Sequence, residues 1–261
     1  MPVPPAEILM FRRAFTLIEL LVVISILSLL MGLLLPALSA ARATAQATRC
    51  AAGLHDVGVA LQGYFNTNDD RFPLSQAHGG YQPGSAWIDT LAPHTQMKLQ
   101  YRCPTDHAPN FDEPDPAKRR VTSYGINVFM NPNDPGWTPD NPSGIPSFGF
   151  EVATRLAASD LIFVAELAEE DASHQPLYAD HFHADMWSTN PFTGYGGADP
   201  QFDLALSRHQ QKSNYLFVDG HAVPLRFDET FRVSPDGQTL EIDKFDPGFP
   251  HGPAGWFQPP A

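Results

Sequence analysis

The sequence predicts an α+β chain in which one long amino-terminal helix packs on a small antiparallel sheet with long loops. Three observations lead there. Residues 15–35 are apolar except for one charge, Glu19. Residues 37–65 continue with Ala-rich, helix-spaced sequence. Residues 71–261 then hold only short strand candidates between loops. The 26 prolines among 261 residues, about twice the usual share of roughly 5%, exclude an all-helical bundle. The 18 Phe, 7 Tyr and 4 Trp are too many for a disordered tail. A net charge of −13 argues against a nucleic-acid partner, because phosphate contact needs a cationic face.

The first element is residues 15–35, reading FTLIELLVVISILSLLMGLLL. A bilayer core needs roughly 20 residues of helix, so this stretch can span one. Arg12 and Arg13 stand just before it, and the positive-inside rule places that end in the cytoplasm. The chain beyond residue 35 then lies outside the inner membrane, an oxidising side in a bacterial periplasm.

Three readings fit residues 1–35. A secretory signal peptide needs an apolar region of about 7–15 residues before a small-x-small site. The run here is longer, although residues 37–40 (ALSA) could serve as such a site. A plain signal anchor explains everything except Glu19, because a carboxylate in hydrocarbon is costly. The third reading starts from residues 12–20, RRAFTLIEL. This segment resembles the cleavage and methylation signal of type IV prepilins and type II secretion pseudopilins. The resemblance implies cleavage between Ala14 and Phe15 by a prepilin peptidase, then methylation of the new amino terminus. The family usually has Gly before the cut, so Ala14 is a departure by one methyl group. Glu19 becomes the fifth mature residue, as in the family, and Pro36 falls where many pilins carry a kinking Pro. The resemblance also implies a role for Glu19 in setting register between subunits, its carboxylate meeting the amino terminus of a neighbouring Phe15. A buried charge is tolerable when it is paired.

The second element is the helix beyond Pro36. Ala, the best helix former, dominates its first half. Leu54, Val57, Leu61, Tyr64 and Phe65 recur at the spacing of one helical face. Gly53, Gly58 and Gly63 weaken the helix by about 1 kcal/mol each, and they can admit a closely approaching element. The run NTNDD at residues 66–70, with Pro73 after it, ends the helix. A continuous helix from Phe15 to about Phe65 would be roughly 75 Å long. The alternative is two helices broken at Pro36.

Four strand candidates follow, at residues 121–128, 161–166, 214–218 and 222–227. The last two flank Asp219-Gly220, a hairpin-turn signal. Residues 131–147 carry five prolines and read as an exposed loop. A second resemblance lies here. His209, nine further residues and Asp219-Gly220 are similar to a region of prepilin-like proteins abundant in planctomycetes. The Cys50 context, RCPTD at residues 102–106 and SYGIN at 123–127 fit the same family. The resemblance assigns no biochemical role to His209, Asp219 and Gly220; the plainer reading is structural, with the Asp-Gly pair making a turn and the strand before it packing on the helix.

Cys50 and Cys103 are the only cysteines. In an oxidising compartment they most simply pair. Closing that loop is worth about 4 kcal/mol in the chain-entropy model. The alternative is two buried thiols.

Ten histidines in an acidic exported head raise the question of a metal. On a strand, His181 and His183 would point to one face, a ligand geometry zinc accepts. Asp180, Asp185 or His174 could add a third ligand. Asp236, Asp243 and Asp246 supply hard oxygens of the kind calcium takes, as in some major pseudopilins, though without EF-hand spacing. A solvated polar surface is the plainer reading of both clusters. Sequence signatures of a zinc protease, a Gly-x-Ser-x-Gly elbow or a phosphate-binding loop do not occur. Glu166 after an apolar strand is an acid candidate or a strand-end charge.

The expected organisation is a leader at 1–14, a transmembrane helix at 15–35, the periplasmic half of the helix at 36–66 and a pilin-like head at 67–261. The expected function is a structural, non-enzymatic subunit of a pseudopilus or pilus-like fibre with no obligatory cofactor. It would be single-pass in the inner membrane, its head periplasmic or carried into a filament. Its partners would be copies of itself or other pilin-like subunits, the prepilin peptidase and the inner membrane, with no nucleic acid. Loss of Arg12, Arg13 and Glu7 takes the formal charge from −13 to about −14, which favours soluble heads. Two other readings stay open: a membrane-anchored metal enzyme at His181 and His183, and a binding module using Trp137, Trp187 and Trp256.

Overall fold

The computed structural model describes residues 16–73, 75, 86–96, 98–130, 158–184, 187, 199–234 and 240–245. Helix α1 runs Leu17–Phe65 as one element of 49 residues. Pro36 lies inside it and does not end it, although proline removes one backbone donor and commonly kinks a helix. The chain divides into two compact units, Met1–Thr44 and Ala45–Ala261. In the first, the large apolar side chains from Leu17 to Leu38 are exposed. In the second, α1 buries Cys50, Leu54, Val57, Leu61 and Phe65, and Tyr64 is partly buried. Burying an aliphatic or aromatic side chain of this size stabilises by about 1.5–3 kcal/mol each, so this face outweighs the helix-weakening glycines.

Among the described residues, the same unit holds a short helix, α2 (Trp87–Leu91), and seven strands. These are β1 (Tyr124–Asn127), β2 (Ile162–Glu166), β3 (His181–Phe182), β4 (Ser213–Phe217), β5 (Ala222–Leu225), β6 (Phe231–Val233) and β7 (Leu240–Asp243). Strands β1 to β5 form one sheet in the order β3-β1-β2-β4-β5, and β6 pairs β7 in a second. All four strand candidates are strands. The sheet is mixed rather than wholly antiparallel, because β3 lies parallel to β1. Pro224 sits in β5, an edge strand, where its missing donor costs no ladder bond.

The central strands are buried on both faces. Leu216 of β4 joins α1 in one apolar cluster, while its neighbours Tyr215 and Phe217 join Trp187, Phe231 and Phe245 in another. Strand β2 departs from strict alternation: Phe163 and Val164 both enter the α1 cluster. A register shift between Ile162 and Val164 accounts for this, since one extra residue turns the side chains that follow. Burial on both faces explains why β2 reads as a continuous apolar run.

Two features lock these layers. At the first, α1 meets the β4–β5 turn. A Cβ placed on Gly58 would lie 2.5 Å from the Gly220 carbonyl oxygen, so only glycine admits this approach. Gly220 itself has φ +92°, a conformation that favours glycine. The Gln62 side-chain amide donates to the Val218 carbonyl at 3.0 Å. At the second, a buried ion cluster ties three loops together. Arg120 donates to Asp106 at 2.9 Å and to the carbonyls of Leu167, Ala168 and Leu177. Arg208 approaches Asp106 at 3.7 Å, and its guanidinium donates to the Leu167 carbonyl at 2.8 Å. Burial alone would raise the Asp106 carboxyl, but Arg120 and then Arg208 hold it below the ordinary value of 3.8. Burial draws the Arg120 guanidinium down to about 10, with Asp106 opposing.

Gly58→Val is expected to destabilise by about 1–3 kcal/mol through overpacking, read as a lower urea midpoint of the disulfide-intact chain in detergent. Gly32→Ala is the control, since nothing lies within 4 Å of a Cβ there, and its midpoint should barely move.

A depressed carboxyl contributes stability that is present above the unfolded-state value and lost as pH falls through the folded-state one. Denaturant midpoints of the wild type should therefore drop below about pH 4. Asp106→Asn, which leaves Arg120 buried and uncompensated, should cost about 3–5 kcal/mol at pH 7 and lack this part of the acid response. A parallel acid response in the two chains would refute the assignment.

Candidate functional site: the helix start and the buried disulfide

The amino end of α1 is closed by a reciprocal pair. Thr16 Oγ1 accepts from the Glu19 backbone N–H at 3.2 Å. In return, Glu19 Oε2 accepts from the Thr16 N–H at 2.8 Å and the Thr16 hydroxyl at 2.7 Å. This is a capping box, and its Thr-x-x-Glu spacing before an apolar run can be read from sequence. It satisfies amide donors that have no partner inside the helix. It also fixes the carboxylate beside the peptide that joins Thr16 to the residue before it. Ala14 and Phe15, with Arg12 and Arg13, lie outside the described residues. Among the described residues, one helix is long and apolar enough to cross a membrane, and it is α1.

Cys50 of α1 and Cys103 form a disulfide with a Cα–Cα distance of 5.4 Å. Both residues are fully buried. The expected pairing is present, and Cys50 reaches its partner because it belongs to the second half of the helix. Around the bridge lie groups that spacing alone does not assemble. Cys103 Sγ is 3.1 Å from Thr105 Oγ1 and 3.6 Å from His209 Nε2. His209 Nε2 is 2.9 Å from Glu166 Oε1. Glu166, fully buried at the end of β2, also accepts from the Asn214 backbone N–H at 3.0 Å and the Asn214 side-chain amide at 3.2 Å. A turn in which His209 and Lys212 exchange backbone hydrogen bonds presents the imidazole. Glu166 is thus a strand-end charge placed on a histidine, not a solvated one.

The other residues singled out above lie elsewhere. Asp219 Oδ1 accepts from the His221 backbone N–H at 3.0 Å and contacts His221 Nδ1 at 2.6 Å, which shapes the β4–β5 turn. His209 and Asp219-Gly220 therefore stand at opposite ends of the β4 segment and do not form one site. His181 is buried in β3 with Nδ1 3.1 Å from Asp180 Oδ1, and its ring meets that of His183 edge-on at 4.9 Å. Asp243 Oδ1 accepts from the Phe245 N–H at 2.9 Å. Asp185, Asp236 and Asp246 lie outside the described residues, as do residues 131–147, Trp137 and Trp256. Trp187 is fully buried among Phe182, Phe231 and Phe245, so it offers no exposed aromatic face. The Asp106–Arg120–Arg208 cluster carries no local signal, since its members come from three separate loops.

Comparison with curated proteins finds no match, and comparison with solved structures finds none either. The family described as the prokaryotic N-terminal methylation motif matches residues 9–35. Those residues take in the Arg pair, the Ala14-Phe15 bond, Glu19 and the apolar start of α1. The match and the apolar helix agree: residues 9–35 carry a methylation motif similar to that of type IV prepilin-like proteins.

Proposed function

We propose that the chain is a structural subunit of a type II secretion-like pseudopilus or type IV pilus-like fibre, cut before Phe15 by a prepilin peptidase. The observation that carries the reading is the pairing of the methylation motif with an apolar helix segment whose large side chains, Leu17 to Leu38, are all exposed in a single copy. An amphipathic helix needs only one partner face, whereas this segment needs an apolar surround on every side. A bilayer supplies that before assembly, and neighbouring copies of the same segment supply it in a fibre. The subunit would cross the inner membrane once, amino end in the cytoplasm and head in the periplasm.

Glu19 gains a specific part in this reading. Cleavage would leave a positive amino group on Phe15, one residue from Thr16. The capping box holds the Glu19 carboxylate at that end of the helix, where it is available to its own amino group or to one from an incoming subunit. Pairing with the incoming amino group sets axial register, because the two charges meet at one stagger of the helices only. The acidic heads remain soluble around the apolar centre.

Intact mass and N-terminal sequencing of the protein from its native membranes test the first step. The expected mature chain begins at methylated Phe15, and Ala14→Gly is expected to be processed at least as fast. Glu19→Val should leave cleavage intact and abolish recovery of the subunit in sheared fibres or in crosslinked multimers. A chain that still begins at Met1 would overturn the reading. Normal assembly of Glu19→Val would remove the register role alone.

A further inference from the structure

Cys50, Cys103, Glu166 and His209 are all buried, and one donor atom from each lies within 4.8 Å of the other three. Two thiol sulfurs, one imidazole nitrogen and one carboxylate oxygen form a donor set that zinc favours. Two of the separations are already near those of a tetrahedral shell. Cys103 Sγ to His209 Nε2 is 3.6 Å, and His209 Nε2 to Glu166 Oε1 is 2.9 Å. With Zn–S about 2.3 Å and Zn–N or Zn–O about 2.0–2.2 Å, the edges of such a shell run roughly 3.3–3.8 Å. Reaching such a shell requires the disulfide to open and its two sulfurs to part to about 3.8 Å, while the histidine and glutamate move little.

We propose that, when the disulfide is reduced, Cys50, Cys103, His209 and Glu166 form a closed four-ligand site for zinc in the head. The step balances simply. A thiol or phosphine reductant gives two electrons to the disulfide and is itself oxidised, and two protons complete the thiols. Zinc then displaces both thiol protons to solvent. The proton that His209 Nε2 and Glu166 Oε1 share is also released to solvent. His209 then binds through Nε2 as the tautomer protonated on Nδ1, taking that proton from solvent where Nδ1 lacks one, and the freed Glu166 oxygen turns to the metal. The supports that aim these ligands do not depend on the metal. The Asn214 N–H holds Glu166 Oε2, the Cys103 N–H donates to Ser123 Oγ at 2.9 Å, and the His209–Lys212 turn fixes the imidazole. Outer groups of this kind orient ligands in known metal sites. Zinc would then tie α1 to the same loop that the disulfide ties. The head has one anchoring point that can be closed by either chemistry, and the buried His209–Glu166 pair is what allows the second.

The test uses the full chain in detergent micelles, reduced with a phosphine under anaerobic conditions and titrated with Co(II). The expected result is one cobalt per chain, with tetrahedral d–d bands in the visible and thiolate-to-cobalt charge transfer in the near ultraviolet, both displaced by zinc. The disulfide-intact chain should show neither. X-ray absorption of the zinc-loaded wild type, which needs no variant, should give two sulfur and two nitrogen or oxygen neighbours. His209→Ala and Glu166→Gln should each weaken binding by at least about tenfold, a loss no smaller than that from outer-shell changes. Absence of the bands in the reduced wild type, a shell of sulfur only or with no sulfur, or unchanged affinity in both variants would each overturn the proposal.

Discussion

The central sheet is buried on both faces, and α1 from Cys50 onward supplies one of the two covers. Most of the head follows from that constraint. A helix that must serve as a core layer needs an apolar face, and Leu54, Val57, Leu61 and Phe65 provide it. It also has to come close to the β4–β5 turn, which selects glycine at position 58 against helix propensity. The free energy gained by burying four large side chains exceeds the roughly 1 kcal/mol that each glycine costs. Propensity yields to packing wherever the two conflict on this face.

The other half of α1 meets a different requirement. No residue from Leu17 to Leu35 is buried, and the sequence there offers no polar face. The one charge, Glu19, is answered locally by Thr16 in the isolated chain. Capping and the proposed inter-subunit pairing are compatible. The cap presents the carboxylate at the helix start, and a cation arriving there meets an acceptor already in place. Preorganised groups lose less freedom on binding than mobile ones, so under the proposed assembly a cap that looks purely local would lower the cost of pairing.

The parts of the fold legible in the sequence are those set by local chemistry. Apolar runs mark β2 and β4, Asp219-Gly220 marks the hairpin turn from β4 to β5, and NTNDD before Pro73 marks the end of α1. The Thr16-x-x-Glu19 box is equally local and is present in the spacing alone. Strand β3 is only two residues long and pairs in parallel with β1 across more than fifty residues of chain, so no window around it announces it. Strands β6 and β7 pair locally but are only three and four residues long. Arg120 is hidden for the long-range reason, since its partners Asp106, Leu167, Ala168 and Leu177 are brought together only by the completed fold. At the disulfide, the pairing of two cysteines was legible, whereas the approach of Glu166 to His209 depends on the register of β2 against β4.

That register gives the spacing between His209 and Asp219-Gly220 a physical meaning. At one end of the β4 segment, His209 lies against Cys103, which is bonded to Cys50 of α1. At the other end, Gly220 lies against Gly58 and the Val218 carbonyl takes the Gln62 amide, both on the same helix. The segment is therefore a strut seated on α1 at two points, one through the contact of His209 with the disulfide-bonded Cys103 and one by close backbone approach. Inserting or deleting a residue between them would shift one end off its seat, and in a strand it would also turn the buried side chains to the opposite face. A histidine at one end and an Asp-Gly turn at the other need not act on a common substrate to require a fixed separation. Fastening one strand to one helix at both ends is sufficient reason.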